Sequence, residues 1–425
     1  MCPVCGVYED QFVAVDIDRA GFISDLNSKI VIIGNSAAGV AAATAIRARN
    51  QNCPIEIFSA ESEPGYNRPM LTKGLITKIE KLNFYIKPDA WYKDNNITLK
   101  LSAKVTEILK DSKEIVLADG EKHSYDKLII ATGARAIDAG IIGQELAGVF
   151  SIRDLDDIHE IQKMLGTATN VVVLGSGVLG LEAAWELKKA KKNVTIIDRS
   201  GIIMSKQLDE KGSKLCEEAL TNSEINIVHN AIVDSIISED GKKFEGAPAV
   251  SYVVLEDGSK LIADMVIVSI GITPNIEIAK NAGIDTGRFI RVNENMGTSI
   301  PDIYACGDCA EFNGQSFGIW NQALEMGKVA GANAIGDKVV YKQITPMNSF
   351  NGLGTSIFAV GDNGKDKEKK YKSVEFLDDA KNTYEKLYFV NDRLCGAILI
   401  GDVKRSVRLS KAYENQESLS KIMGE

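Results

Sequence analysis

Two glycine-spaced clusters carry the clearest chemistry in this chain of 425 residues. The first holds Gly34, Ser36, Ala37, Ala38 and Gly39 and follows the apolar run 29–33; the second holds Gly175, Gly177, Val178, Leu179 and Gly180 and follows the run 170–174. The leading glycine permits a tight strand-to-helix turn and the last lets the helix pack close to the strand. The helix's first N–H groups then face a diphosphate. Ser36 stands where the pattern usually has glycine; its side chain narrows the approach, and its hydroxyl can donate to a phosphate. An acid at the end of the next strand would accept from a ribose 2′-OH, a role that falls to Glu61 and to Asp198. Either cluster alone reads equally well as a glycine-rich helix start. Two of them, each with strand, helix, strand and acid, read as two dinucleotide sites. Asp198 repels a 2′-phosphate and favours NADH, whereas the neighbouring Arg199 could clamp that phosphate, so the sequence favours NADH and leaves NADPH open.

The elements that must position these clusters alternate strand and helix. Residues 29–33, 37–49 and 55–58 read as strand, helix and strand, followed by β-rich segments at 114–117 and 125–131. Residues 170–174, 179–191 and 193–197 repeat the layout, which makes the second unit a duplicated Rossmann-like half. A strand at 264–270 and a strand-to-helix join near 301–310 follow; the tail, with strands near 356–360, 385–390 and 396–400, reads as α+β. The expected fold class is α/β, with two Rossmann-like nucleotide-binding domains, the second inserted in the first, and a small α+β C-terminal domain. The expected boundaries are 28–150 with 263–337 for the first domain, 151–262 for the second and 338–425 for the third, with 1–27 as an appendage. A net charge of −9 argues against nucleic acid or anionic membranes as partners. No apolar run approaches a membrane span and no secretory signal is evident, so a cytoplasmic setting with reduced thiols is expected for the seven cysteines.

Several further motifs, taken in order, resemble the FAD-dependent pyridine nucleotide-disulfide oxidoreductase superfamily. They are Glu61 with Tyr66-Asn-Arg68-Pro69-Met-Leu-Thr-Lys73, Tyr125-Asp-Lys-Leu-Ile-Ile-Ala131-Thr132-Gly133, Gly271-Ile-Thr-Pro274-Asn, and Tyr304-Ala-Cys-Gly307-Asp308. The likeness is to its disulfide-free branch of NADH:rubredoxin reductases, ferredoxin reductases and nitrite reductase flavin regions. The resemblance implies FAD on the first unit and NAD(P)H on the second. It implies that Arg68 and Pro69 line the flavin diphosphate and ring, that Asp308 bonds the ribitol, and that Ala131, Thr132, Gly133 and Gly307 complete the FAD site. Gly271 would belong to the NAD site. Lys73 would lie near flavin N5, paired with Glu182, where an ammonium oriented by a carboxylate favours the reduced ring; both would otherwise be solvated surface charges. Trp320 falls where some ferredoxin reductases place an aromatic beside the flavin, or else is simply core.

The cysteines mark the departures from that superfamily. No Cys lies between 74 and 85, so dithiol chemistry at the flavin is not expected. Cys306 and Cys309 form a CxxC that reads as packing thiols rather than a redox pair. Cys2-Pro-Val-Cys5 resembles one knuckle of rubredoxin, half of a tetrahedral Fe or Zn site. The other pair would come from a second subunit in a homodimer or from sequence upstream of Met1; otherwise the knuckle is a remnant without metal. The combined expectation is that NADH reduces FAD and the flavin passes electrons singly to a small iron protein, rubredoxin or ferredoxin, with rubredoxin leading. An NADH oxidase, a nitrite reductase flavin component and a flavin-binding redox sensor or assembly module without turnover are the alternatives. Lys365, Lys367, Lys369, Lys370 and Lys372 either attract an acidic partner or form a solvated loop.

Overall fold

The computed structural model describes residues 21–78 and 84–424, so Cys2 and Cys5 lie outside the described residues. The first domain is built on a parallel five-stranded sheet in the order Ile303–Ala305, Lys127–Ile130, Ile30–Ile33, Ile55–Phe58 and Ile97–Lys100. Every residue of Ile30–Ile33 is buried, as a strand covered on both faces must be, which is why its sequence is a continuous apolar run. The helix Ala37–Arg47 covers one face and is itself almost all small residues. Those small residues admit a second helix, Trp320–Ala334, at backbone contact. A Cβ at Gly327 would come within 2.3 Å of the Ala38 carbonyl oxygen, and one at Gly331 within 2.2 Å of that of Ala42. This crossing carries Trp320, the first residue of its helix, to the mouth of the first glycine cluster.

The second domain repeats the plan with a parallel sheet in the order Asn226–His229, Asn193–Asp198, Asn170–Leu174, Met265–Val268 and Val149–Phe150. The helix that follows its central strand Asn170–Leu174 is Val178–Lys189. The expected boundaries need correction here. Met265–Val268 pairs with Asn170–Leu174, and Val149–Phe150 pairs with Met265–Val268, so both belong to the second sheet and not to the first. These are apolar segments that the central strand Asn170–Leu174 needs beside it to stay dry.

The C-terminal domain is an antiparallel sheet ordered Met347–Gly352, Thr355–Gly361, Arg393–Ile400, Thr383–Val390 and Lys372–Asp378, with helices Ser406–Glu414 and Leu419–Met423. It is pinned to the second domain through Asp209, which caps helix Glu210–Asn222 by accepting from the Gly212 N–H at 2.8 Å. The same carboxylate accepts from the Tyr384 and Tyr388 hydroxyls at 2.8 Å each and lies 3.1 Å from Lys386 Nζ. Burial alone would raise the Asp209 pKa, but these donors outweigh it and hold the group below the usual carboxylate range. A carboxyl with a depressed folded pKa stabilises the protein above its unfolded value of ~3.9 and stops doing so as pH falls through the folded value. Asp209→Ala should therefore cost about 3 kcal/mol at neutral pH by leaving buried donors without their acceptor. In urea unfolding followed across pH, the gap from wild type should shrink below about pH 4; a gap independent of pH would contradict this clamp.

Candidate functional site

The strand Ile30–Ile33 leads into Gly34 at φ +108°, where a Cβ would sit 2.1 Å from the Ala131 carbonyl oxygen. Gly175 repeats this at φ +107°, with Ser269 O 2.4 Å from the missing Cβ. Only glycine serves at either turn. Gly39 and Gly180 close the loops: a Cβ on either would fall 1.9 Å and 2.1 Å, respectively, from the carbonyl oxygens of Gly34 and Gly175. Gly177 differs in kind, since nothing lies within 4 Å of a Cβ built there, so its backbone faces open space.

A cleft of about 940 Å³ opens on the first cluster. Gly34, Ser36, Ala37 and Ala38 form one wall, with Glu61, Arg68 and Pro69 beside them. Ala131, Thr132 and Gly133 form the floor, and Gly307, Asp308 and Trp320 close the far end. Across from these, Val178, Leu179 and Glu182 project from the second domain's helix Val178–Lys189. Gly39, Gly175, Gly177, Gly180, Asp198 and Gly271 do not line this cleft; of these, Gly39, Gly175 and Gly180 shape the turns that face it. Neither Ser36 nor Gly177, each the N-cap of its helix, makes a side-chain capping bond, which leaves the positive end of each helix dipole uncapped by a side chain.

A chain of polar contacts crosses the cleft wall. Arg68 pairs with Glu61, donates its Nε to Ser36 Oγ at 3.2 Å and one Nη to the Arg153 carbonyl at 2.5 Å. Tyr66 donates to Glu61 and lies under the Arg68 guanidinium, 5.0 Å from its carbon. Arg153 then donates to Asp308 Oδ2 at 3.0 Å and to the Ala134 carbonyl at 2.7 Å. Sequence reasoning missed Arg153. Its only local signal is a place just before the capping box of helix Leu155–Leu165, formed by Asp154 and Asp157. In the second unit, Asp198 is buried, accepts the Ser176 hydroxyl, and takes the Ser200 N–H and hydroxyl at 2.9 Å each.

The expected pairing of Lys73 with Glu182 differs from the observed one. Lys73 Nζ lies 3.0 Å from Glu186 Oε1, while Glu182 Oε2 accepts the Thr72 hydroxyl at 3.0 Å. Glu182 and Glu186 are four residues apart and share a helix face. The short Thr72 meets the nearer carboxylate, and the long Lys73 reaches the deeper one, whose side chain is 1% exposed and most in need of a cation. Lys73 thus lines a second cleft of about 770 Å³, which continues past the first along the same helix and is closed by the C-terminal sheet. Burial holds the Glu182 carboxyl above its usual range, against the opposing Lys73 charge and Thr72 hydroxyl.

Cys306 and Cys309 are wholly buried and unpaired, and burial raises both thiols. Cys309 Sγ donates to the Cys306 carbonyl at 3.3 Å. These features suit packing thiols. In the lysine-rich loop, Lys369 pairs with Asp362 at 2.8 Å and Lys365 donates to the Ser205 carbonyl at 2.9 Å, while Lys367, Lys370 and Lys372 are exposed. Among the described residues no cluster of His, Cys, Asp or Glu could hold a metal ion, and no helix is long and apolar enough to cross a membrane.

Two nucleotide-type sheets whose helix mouths share one cleft define a class of α/β protein built to bring two dinucleotides together. Residues 28–327 match the profile of the pyridine nucleotide-disulphide oxidoreductase family, and residues 346–417 match the rubredoxin NAD+ reductase C-terminal domain. The chain belongs to the pyridine nucleotide-disulphide oxidoreductase family, which is FAD- and NAD(P)H-dependent. It is 31% identical over 394 residues to an assimilatory nitrate reductase electron transfer subunit of Bacillus subtilis, covering 92% of this chain and 50% of that one. The chain therefore spans about half the length of that relative. It is 31% identical over 401 residues to an NADH-rubredoxin oxidoreductase of Clostridium acetobutylicum, covering 93% and 97%. The crystal structure of the NADH:rubredoxin oxidoreductase from that organism matches at TM-score 0.76 and 30% identity, over 93% of this chain and 99% of that one. A NAD-dependent persulfide reductase from A. fulgidus matches at TM-score 0.86 and 27% identity, over 93% and 79%.

The cleft fits FAD on its own terms. Asn35 Nδ2 is buried in the wall without a partner, and a donor is what a diphosphate or ribose oxygen there would use. Arg153→Ala should leave Asp308 without its cation and remove the arginine's bond to Ala134. The expected result is at least tenfold weaker FAD binding in a fluorescence titration of apoprotein, with wild-type secondary structure; unchanged affinity would remove Arg153 from the site.

Proposed function

We propose that this chain takes hydride from NADH and passes the electrons through FAD to a small iron protein, with rubredoxin the leading acceptor. The observation that carries the reading is the shared cleft, walled by Ser36, Ala37 and Ala38 of one unit and by Val178, Leu179 and Glu182 of the other. Two helix N-termini opening on one space can hold two diphosphates so that a nicotinamide meets a flavin ring. When bound, FAD supplies a ring that accepts two electrons as hydride and releases them singly.

The residues divide that task. N–H groups of the Gly34–Gly39 turn hold the flavin diphosphate, Glu61 accepts from its ribose, and Arg68 and Pro69 face diphosphate and ring. Asp308, oriented by Arg153, accepts from the ribitol, while Ala131, Thr132, Gly133 and Gly307 bring main chain close and Trp320 shields the ring. Gly175, Gly177, Val178, Leu179 and Gly180 do the same for the nicotinamide coenzyme. Asp198, oriented by Ser176 and Ser200, accepts from a 2′-OH and repels a 2′-phosphate. Gly271 shapes the opposite wall of that site. Lys73 supplies the positive charge that favours a reduced ring, and Glu182 is the carboxylate that orients it there. Relatives named for rubredoxin reduction, and the match of residues 346–417 to a rubredoxin NAD+ reductase domain, support rubredoxin as the acceptor. Cytoplasmic residence is supported by five free thiols among the described residues. A homodimer sharing an Fe or Zn site through Cys2 and Cys5 belongs to the same reading, and one metal per two chains on analysis would support it.

The test is an anaerobic turnover assay with NADH or NADPH and a panel of acceptors. The proposal expects kcat/KM for rubredoxin to exceed that for oxygen by 100-fold or more, and NADH to be preferred. Lys73→Met should slow reduction of the flavin by NADH about tenfold or more. Equal rates with oxygen and rubredoxin, or a preference for NADPH, would overturn the acceptor or the role of Asp198, respectively.

A further inference from the structure

Lys73 is paired away from the cleft it is proposed to serve. Its ammonium rests on Glu186, and the second oxygen of that carboxylate is taken by Lys189. Glu182, about one helical turn nearer the flavin cleft and about 6 Å along the axis, is held by Thr72, the neighbour of Lys73. Three facts make this more than an ion pair. Glu186 is 1% exposed, so it cannot stand unpaired in its surroundings. Lys189, at 40% exposure and beside the Trp185 ring, gives Glu186 a cation that does not depend on Lys73. Glu182 lines the flavin cleft, and its main charge partner across the domain junction is Lys73.

We infer that Glu186 and Lys189 are positioning residues that divide the Lys73 ammonium between two carboxylates, Glu186 in the second cleft and Glu182 at the flavin. Lys189 is what permits the exchange, because it keeps Glu186 neutralised when Lys73 moves one turn toward the cleft. The inference rests on the proposed role of Lys73 beside the flavin. Glu186 competes with the flavin for this ammonium, and Lys189 weakens the competitor. The two neighbours therefore act with opposite sign on the ease of reducing the flavin, and both act only through Lys73.

The test measures the flavin midpoint potential of the purified FAD-loaded protein by equilibration with a reference dye. Glu186→Gln should release Lys73 to Glu182 and raise the potential, a three- to tenfold gain in the ratio of reduced to oxidised protein at fixed poise. Lys189→Met should fix Lys73 on Glu186 and lower the potential by a similar factor. Combined with Lys73→Met, both shifts should vanish. Shifts that persist at full size in the Lys73→Met background would mean that the charges act by direct field, which overturns the inference. Lys73→Met lowering the potential while neither neighbour moves it also overturns the inference and leaves the role of Lys73 standing. No effect of Lys73→Met would remove both. Lys189 is partly exposed, so Lys189→Met decides the matter even if Glu186→Gln does not fold.

Discussion

A helix can present its unpaired N–H groups to a diphosphate only if the chain entering it turns sharply and carries no side chain in the way. This chain meets that constraint twice with almost the same backbone. Gly34 and Gly175 stand at φ +108° and +107°, each with a carbonyl oxygen of a neighbouring strand exit where a Cβ would be. The rest follows from holding those two turns opposite one another. The parallel sheets fix the strand ends, and the small-residue crossing of helices Ala37–Arg47 and Trp320–Ala334 brings Trp320 and the Gly307–Cys309 turn to the first mouth. The Asp209 clamp seats the C-terminal sheet against the second domain, where it closes the cleft that Lys73 lines.

Charge is arranged around these turns in linked pairs. Glu61, Arg68, Arg153 and Asp308 form a chain along the wall of the first cleft. Partial burial makes each member dependent on the next, since an unpaired charge there costs far more than an exposed one.

Much of this was legible in the sequence because it rests on main-chain geometry and apolar continuity. The runs at 30–33 and 170–174 are buried strands, the glycines stand where turns demand them, and the motifs around Arg68, Thr132 and Asp308 meet in one cleft. What was not legible depends on side-chain reach across domains. Arg153 joins the site from a segment without a motif, and Lys73 chooses Glu186 over Glu182 because its length and the deeper burial of Glu186 favour that pairing. The domain boundaries slipped for a related reason: Val149–Phe150 and Met265–Val268 are apolar strands whose sequence does not say which of two similar sheets they join.

The central claim is that both helix mouths open on one space and that the two dinucleotides bound there exchange electrons. Anaerobic titration of the FAD-loaded protein with NADH tests it directly. The account predicts that the flavin absorbance bleaches completely at one NADH per flavin; a flavin that stays oxidised in the presence of excess NADH would contradict it.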